Sequence, residues 1–264
     1  MIAIQSIFVV SLDMDFARKA HIQSHLPAIG FNNFEFVPAT DHQAASVRAL
    51  YREGRVLEYP NCFRCGQRSC ACANNILIPQ QVANWLSFLS VWEICSADPD
   101  AFFLICEDDV SFRPGTDLVL ERFLGEFEQT EKNVLIRMAE SGQDPRGAIT
   151  TESYSLSDRV VMSNAAYLLS GHMAQTLLDA FDRVETTSDI WLHRDMAGKT
   201  GVQSLTIEPL LATDLSFTKE FAQFESRIHP KGINVEDQIR QGIHVKRVSD
   251  AAEYERVRRS WFQS

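Results

Sequence analysis

The sequence holds no apolar run near the roughly 18 residues that a membrane-spanning helix needs. Its start, MIAIQSIFVVSLDMDFARK, lacks the basic n-region and small-residue cleavage site of a secretory signal. Basic charge is scarce: 25 Lys and Arg against 35 Asp and Glu leave a net charge of −10. That argues against a general nucleic-acid binder, which needs a basic footprint. It leaves room for an anionic ligand, because local basic residues can oppose the global sign. There is no internal repeat and no low-complexity tract. A second His/Asp cluster of the two-metal hydrolase type is missing too, which ranks a phosphoesterase reading last. The expectation is a cytoplasmic protein with no nucleic-acid partner. Any membrane contact would be peripheral, at the inner face, through a partner or a lipid-linked substrate.

What is present suits an α/β domain. A chain of 264 residues, 45% hydrophobic and 23% charged, can bury a sizeable core. The central stretch is Ala101 to Phe112, AFFLICEDDVSF. Its apolar run, rich in aromatic and branched residues, reads as a strand covered on both faces. It ends in Glu107-Asp108-Asp109, three acids that would be costly to bury unpaired. Ligands of open α/β sheets bind beyond the carboxyl ends of the strands. The acids therefore suit either a divalent cation with oxygen ligands or a solvated turn.

Around that stretch, strands and helices alternate. Ser6 to Leu12 is a strand, Asp13 or Asp15 caps a helix from Phe16, and Phe34 to Val37 is a second strand. Asp41 caps a helix through Arg52, and Pro79 opens a long helix to Ser96 whose Val82, Trp85, Leu86, Leu89 and Trp92 form an apolar stripe. Further strands are expected at Asn133–Met138, Arg159–Met162, Ala166–Leu169 and Val202–Ile207. A helix follows Ser170, and another, capped by Asp250, runs from Ala251. Arg137 is either a surface charge on an edge strand or a ligand contact. The order predicts a doubly wound, mostly parallel sheet flanked by helices. Residues 1–264 then form a single domain, with 61–75 as an inserted loop and 230–264 as a C-terminal extension.

Residues 61–75 break the pattern. Cys62, Cys65, Cys70 and Cys72 fall within eleven residues, with Gly66 in a turn and no periodicity around them. In a chain without an export signal, six cysteines favour thiols or metal over disulfides. The spacing suits a closed structural Zn²⁺ site, against a disulfide pair or chance clustering. Cys95 and Cys106 read as buried thiols.

Taken in order, several of these segments resemble glycosyltransferase family 25, the bacterial lipooligosaccharide galactosyltransferases and their collagen-modifying relatives. Phe8 to Asp13 with Arg18 is similar to the family's first strand, with Ser11 where Asn is usual. Phe36 to Asp41 resembles its second. Leu86 to Trp92 resembles its Leu-Ser-His-Leu helix, with Phe88 in place of His, and Leu104 to Val110 its Glu-Asp-Asp strand. Ala166 to Ser170, Ser188-Asp189, Pro209 and Ser226 to Ile228 echo later motifs. The cysteine cluster is not a general family feature.

The resemblance implies a GT-A-like fold, a UDP-sugar donor, Mn²⁺ or Mg²⁺, and inversion at the anomeric carbon. The acceptor would be a lipooligosaccharide or another cell-surface glycan or glycolipid, and galactose the sugar. Asp109 with Glu107 or Asp108 would hold the metal at the diphosphate. Asp13, Arg18 and Asp41 would line the nucleotide end. Asp189 is the candidate base for the acceptor hydroxyl, against a plain helix-terminus acid. His229 or His244 is a candidate third ligand. The alternative is a catalytically inactive relative acting as a zinc-stabilised binding module.

Overall fold

A computed structural model describes residues 4–126, 132–141, 154–217 and 247–262, together with 224, 226 and 228. Its elements begin with β1 (Ile4–Ser11), α1 (Phe16–Ala28), β2 (Phe34–Pro38), α2 (Ala45–Arg52) and α3 (Pro79–Ser96). There follow β3 (Phe102–Glu107), β4 (Val110–Phe112), α4 (Thr116–Glu126), β5 (Leu135–Arg137), β6 (Ala139–Ser141) and β7 (Ser155–Ser157). Then come β8 (Ala166–Ser170), α5 (Gly171–Ala180), a helical stretch from Ser188 to Thr200, β9 (Leu205–Glu208), β10 (Ala212–Asp214) and a C-terminal helix, Ala251–Ser260.

Among the described residues the main sheet has seven strands in the order β2-β1-β3-β8-β5-β9-β7. β2, β1, β3, β5 and β9 point one way; β8 and β7 point the other. The fold is thus mixed α/β around a mostly parallel sheet, and β3 lies within it, as its two-sided apolar run requires. Leu104, Ile105 and Cys106 are fully buried. A second sheet of three strands, β4-β10-β6, takes over where β3 ends. β10 runs antiparallel to β4, with Asp214 opposite Val110.

The chain divides into two compact units. The first comprises residues 1–39, 87–181 and 189–225, and holds both sheets. Its core gathers Ile7, Val9, Ile22, Leu26, Leu104, Val119, Ile136, Leu168 and Ile207. The second comprises 40–86, 182–188 and 226–264, so the cysteine loop and the C-terminal helix share a unit. Ile76, Val248, Tyr254 and Val257 form its apolar cluster, with Tyr59 and Trp261 packed on it. Trp85 donates its indole N–H to Thr186 O at 2.7 Å, fixing the buried ring.

Local chemistry explains several departures from the sequence-based expectations. Asp41 does not cap α2, which begins after Ala44; its Oδ1 accepts the Gln43 N–H at 2.7 Å in an Asx turn. Asp15 sits at the N-cap of α1 but its carboxylate makes no capping bond; its charge instead supports Arg18. Arg159–Met162 is not a strand, because the Arg159 carbonyl accepts from Arg137 Nη2 at 2.7 Å and leaves the ladder. Arg137 is no edge charge: β5 lies between β8 and β9, and the side chain is 1% exposed. It donates to Thr206 Oγ1 at 2.9 Å, Ser204 O at 3.1 Å and His193 O at 3.3 Å. Burial lowers its pKa to about 10, still charged at neutral pH, so it acts as a structural clamp on backbone carbonyls.

Other expectations hold. Ser170 caps α5 by accepting the Met173 N–H, and Asp250 caps the C-terminal helix by accepting the Glu253 N–H at 2.8 Å. Cys95 and Cys106 are buried, and burial pushes both thiols up. Gly171 is required by space, because a Cβ there would lie 2.0 Å from the Asp98 carbonyl oxygen.

Candidate active site

The site is built at the carboxyl ends of β1 and β3. These strands pair in parallel, with Val10 beside Glu107, so Ser11 and the residues after Glu107 emerge together. Ser11 donates to Asp108 Oδ2 at 2.6 Å. Arg18, in the first turn of α1, donates from Nη1 to Asp108 Oδ1 at 2.7 Å and to Asp109 Oδ2 at 3.2 Å, and from Nη2 to Phe224 O at 3.2 Å. Asp108 and Asp109 are 4% and 5% exposed.

The third acid comes from the other sheet. Asp214 ends β10, is 6% exposed, and its Oδ1 accepts from Ser216 N at 2.8 Å and Ser216 Oγ at 2.6 Å. Next to it, the Leu215 N–H donates to the Asp109 carbonyl at 2.8 Å, tying β10 to the acidic turn. Burial, with the Asp214 charge close by, pushes the Asp109 carboxyl up to about 8, against the opposing pull of Arg18. Burial works against the Arg18 cation as well, but Asp109 and Asp108 outweigh it and its pKa rises. One guanidinium serves two adjacent carboxylates, and its shorter bond goes to Asp108. Asp109 is therefore the under-compensated member. Among the described residues its Oδ1 is buried without a hydrogen-bond partner. Asp108, Asp109 and Asp214 thus share a single guanidinium, and the orphaned Asp109 oxygen is the donor that would suit a hard divalent cation, while among the described residues only the four cysteines bring ligand atoms within 4.8 Å of one another.

Two histidines brace the turn. His25 Nε2 accepts the Phe112 N–H at 2.7 Å, and His21 Nε2 meets Val110 O at 2.9 Å. The rings stack 5.2 Å apart, one helical turn from each other on α1. They satisfy β4 backbone groups on the side away from β10. Burial, then His21, lowers the His25 pKa to about 4, so it stays neutral and keeps accepting.

The sequence-predicted residues divide clearly. Arg18, Asp108 and Asp109 converge, with Ser11. Glu107 is the half-buried last residue of β3, and its charge is felt by Cys106 and Tyr167. Asp13 is exposed on the turn after β1 and pairs with Lys19 Nζ at 3.4 Å. Asp41 is exposed in the second unit. Asp189 is half-buried in the first turn of the helical stretch, ahead of a π-helical turn at Trp191–Asp195. It helps to raise the Arg194 pKa, behind Asp195. His229 and His244 lie outside the described residues, as do Arg227 and most of 230–264. Phe88 is buried against Trp92 and Tyr167, and Trp92 also faces Trp191. Tyr167 and Trp191 are core residues, 0% and 1% exposed. Sequence reasoning missed Asp214. Its signal was a second apolar run ending in an acid, Leu210-Leu211-Ala212-Thr213-Asp214.

The sequence profile described as glycosyltransferase family 25 (LPS biosynthesis protein) matches residues 4–192. The chain belongs to glycosyltransferase family 25. The match takes in β1, Arg18 and the whole Glu107-Asp108-Asp109 turn, and stops short of Asp214. A comparison with curated proteins finds no match. A solved structure described as a glycosyltransferase involved in the glycosylation of the major capsid of PBCV-1 aligns with 83% of this chain and 96% of its own length. Its TM-score is 0.41 and its identity 8%. As a family 25 protein, the chain carries a glycosyltransferase framework, and a sugar donor and a glycan acceptor follow as its reactant classes. Among the described residues no helix is long and apolar enough to cross a membrane.

Proposed function

We propose that this family 25 chain transfers a hexose, galactose in our reading, from a UDP-sugar to a lipooligosaccharide or other cell-surface glycan, with inversion. The observation that carries the reading is the buried Asp109, with Asp214 beside it, an unpartnered Oδ1 and too little positive charge nearby. Asp109 and Asp214, with Glu107, would hold Mn²⁺ or Mg²⁺. A bound divalent ion stabilises charge on a departing diphosphate as a Lewis acid. Arg18 and Ser11 fix Asp108, so the acidic turn keeps its shape whether or not donor is present. Asp13, on the turn after β1, is assigned to the nucleotide end. Asp189 is assigned as the base that takes the acceptor hydroxyl proton. The work of this site would be performed by the cytoplasmic face of a glycan assembly system, with the chain touching the membrane only through its acceptor.

A thermal-shift series tests this, with UDP-galactose, UDP-glucose, UDP-N-acetylglucosamine and GDP-mannose, each with and without Mn²⁺. Donor at about 100 times its Kd should add about 2.7 kcal/mol. The expected result is a Mn²⁺-dependent shift with one UDP-sugar that is absent in Asp109→Asn. No shift with any of the four, from folded protein, would overturn the reading in favour of an inactive relative acting as a binding module.

A further inference from the structure

The loop between α2 and α3 contains no helix or strand from Leu57 to Ile78, yet it draws four sulfurs together. The Sγ atoms of Cys62, Cys65, Cys70 and Cys72 all lie within 4.8 Å of one another, and all four thiols are free. Cys65 and Cys72 are 4.0 Å apart. Four thiolates around a tetrahedral Zn²⁺, at Zn–S of about 2.3 Å, would stand about 3.8 Å apart.

Backbone N–H groups point into the sulfur cluster. The N–H groups of Cys65 and Arg64 are directed at Cys62 Sγ, and the Cys72 N–H at Cys70 Sγ. Gly66 closes the first turn with φ +72°, a left-handed conformation open to glycine. Its N–H donates to Cys62 O at 2.7 Å, while the Cys62 N–H donates to Gln67 O at 3.1 Å. Cys-x-x-Cys-Gly here is a knuckle that presents two sulfurs on one side. Arg64 and Arg68 lie in the same loop and oppose the surplus negative charge of a four-thiolate centre.

The chain that leaves the last cysteine has a second task. Asn75, three residues after Cys72, is 5% exposed and binds the Val248 backbone twice. Its Nδ2 donates to Val248 O at 3.0 Å, and its Oδ1 accepts the Val248 N–H at 3.0 Å. The adjoining Ile76 packs with Val248, Tyr254 and Val257. The loop thus supplies the seat of the C-terminal helix while having no regular structure of its own.

We propose that Cys62, Cys65, Cys70 and Cys72 hold one structural Zn²⁺, and that this ion anchors the C-terminal helix by fixing Asn75 and Ile76. All four positions are filled by protein, so the centre is closed and takes no part in glycosyl transfer. The proposal is independent of the transferase reading.

The test uses the full chain, purified under reducing conditions without added metal. Elemental analysis should find about one zinc per chain, released when a mercurial caps the thiols. Cobalt exchanged into the site should give the visible d–d bands of a tetrahedral thiolate centre. Cys65→Ser should lose the metal, and stripping the metal from the parent protein should speed amide exchange at Val248 while β1 and β3 stay protected. If Cys65→Ser fails to fold, the cobalt spectrum of the parent protein decides the ligand set. Iron in place of zinc, disulfides among the four cysteines in the native protein, or failure to retain equimolar zinc through gel filtration would each overturn the site. Unchanged Val248 exchange after zinc removal would overturn the anchoring role.

Discussion

The acidic turn and the cysteine loop gather like-charged ligand atoms by opposite means. At the acidic turn, two sheets and α1 bring Ser11, Arg18, Asp108, Asp109 and Asp214 together from distant parts of the chain. Strands packed on an apolar core hold these residues, and the repulsion among the acids is imposed on them. In the cysteine loop, four thiols from one short segment surround a common point with little apolar packing around them. The difference teaches which way order flows. The acidic site is organised before it meets a ligand and stores an electrostatic penalty. In the zinc reading, the loop would take its order from its ligand.

Breaking the acidic side of that comparison should be costly when its cation is removed. Arg18→Leu would leave Asp108 and Asp109 buried without compensation, a loss of about 3–5 kcal/mol by urea unfolding. Arg18→Lys should recover only part of it, because a point charge cannot bond Asp108, Asp109 and Phe224 O together.

Removing the under-compensated acid should separate activity from stability. Asp109→Asn should lower transfer about 10²–10³-fold, the usual effect of losing one group that stabilises developing charge. The same change should stabilise the metal-free protein. The folded Asp109 carboxyl titrates near 8 against 3.8 for a free aspartate, so the folded state holds its proton more tightly. Its contribution to stability is full below about pH 3.8 and is lost as pH rises through 8. Melting temperatures across that window, without metal, should fall for the parent and stay flatter for Asp109→Asn.

Gly171→Ala sharpens the comparison from the scaffold side. The new Cβ would meet the Asp98 and Cys95 carbonyls, at 2.0 and 2.8 Å, so α5 must shift away from the α3–β3 turn. A loss of about 1–3 kcal/mol is expected in chemical denaturation. It should leave the zinc content of the loop unchanged.

The last prediction concerns two buried histidines, His25 of the brace and His193, whose Nε2 lies 2.9 Å from the Ser163 carbonyl oxygen. His25 and His193 titrate near 4 and 3 in the folded protein, each chiefly through burial, against 6.5 when free. The unfolded chain binds their protons first, so their contribution is full above about pH 6.5 and declines as pH falls toward 4. A melting temperature that stays level over that interval, after allowance for the carboxylates, would rule out the neutral brace on Phe112.

What could be read in advance follows the same division. Glu107-Asp108-Asp109 after an apolar run, the knuckle cysteines and the Ser170 and Asp250 caps are local patterns, and each survived contact with the fold. Arg137 was ambiguous because a three-residue strand does not reveal its neighbours, and only the order β8-β5-β9 makes it interior. The mixed α/β class was legible through the order and periodicity of the elements, and the family through the resemblance of its motifs. Asp214 was not, since its meaning depends on a pairing with β4 about a hundred residues away in sequence.

By itself, then, the sequence determined which residue types could do chemistry and which short segments could present them, because hydrophobic period, turn residues and metal-ligand spacing act over a few positions. The tertiary structure alone decided that Arg18 favours Asp108 over Asp109, that Asp214 is the third acid, and that Asn75 holds Val248. Those outcomes depend on distance, burial and competition for a single cation, and such quantities exist only once the strands have paired.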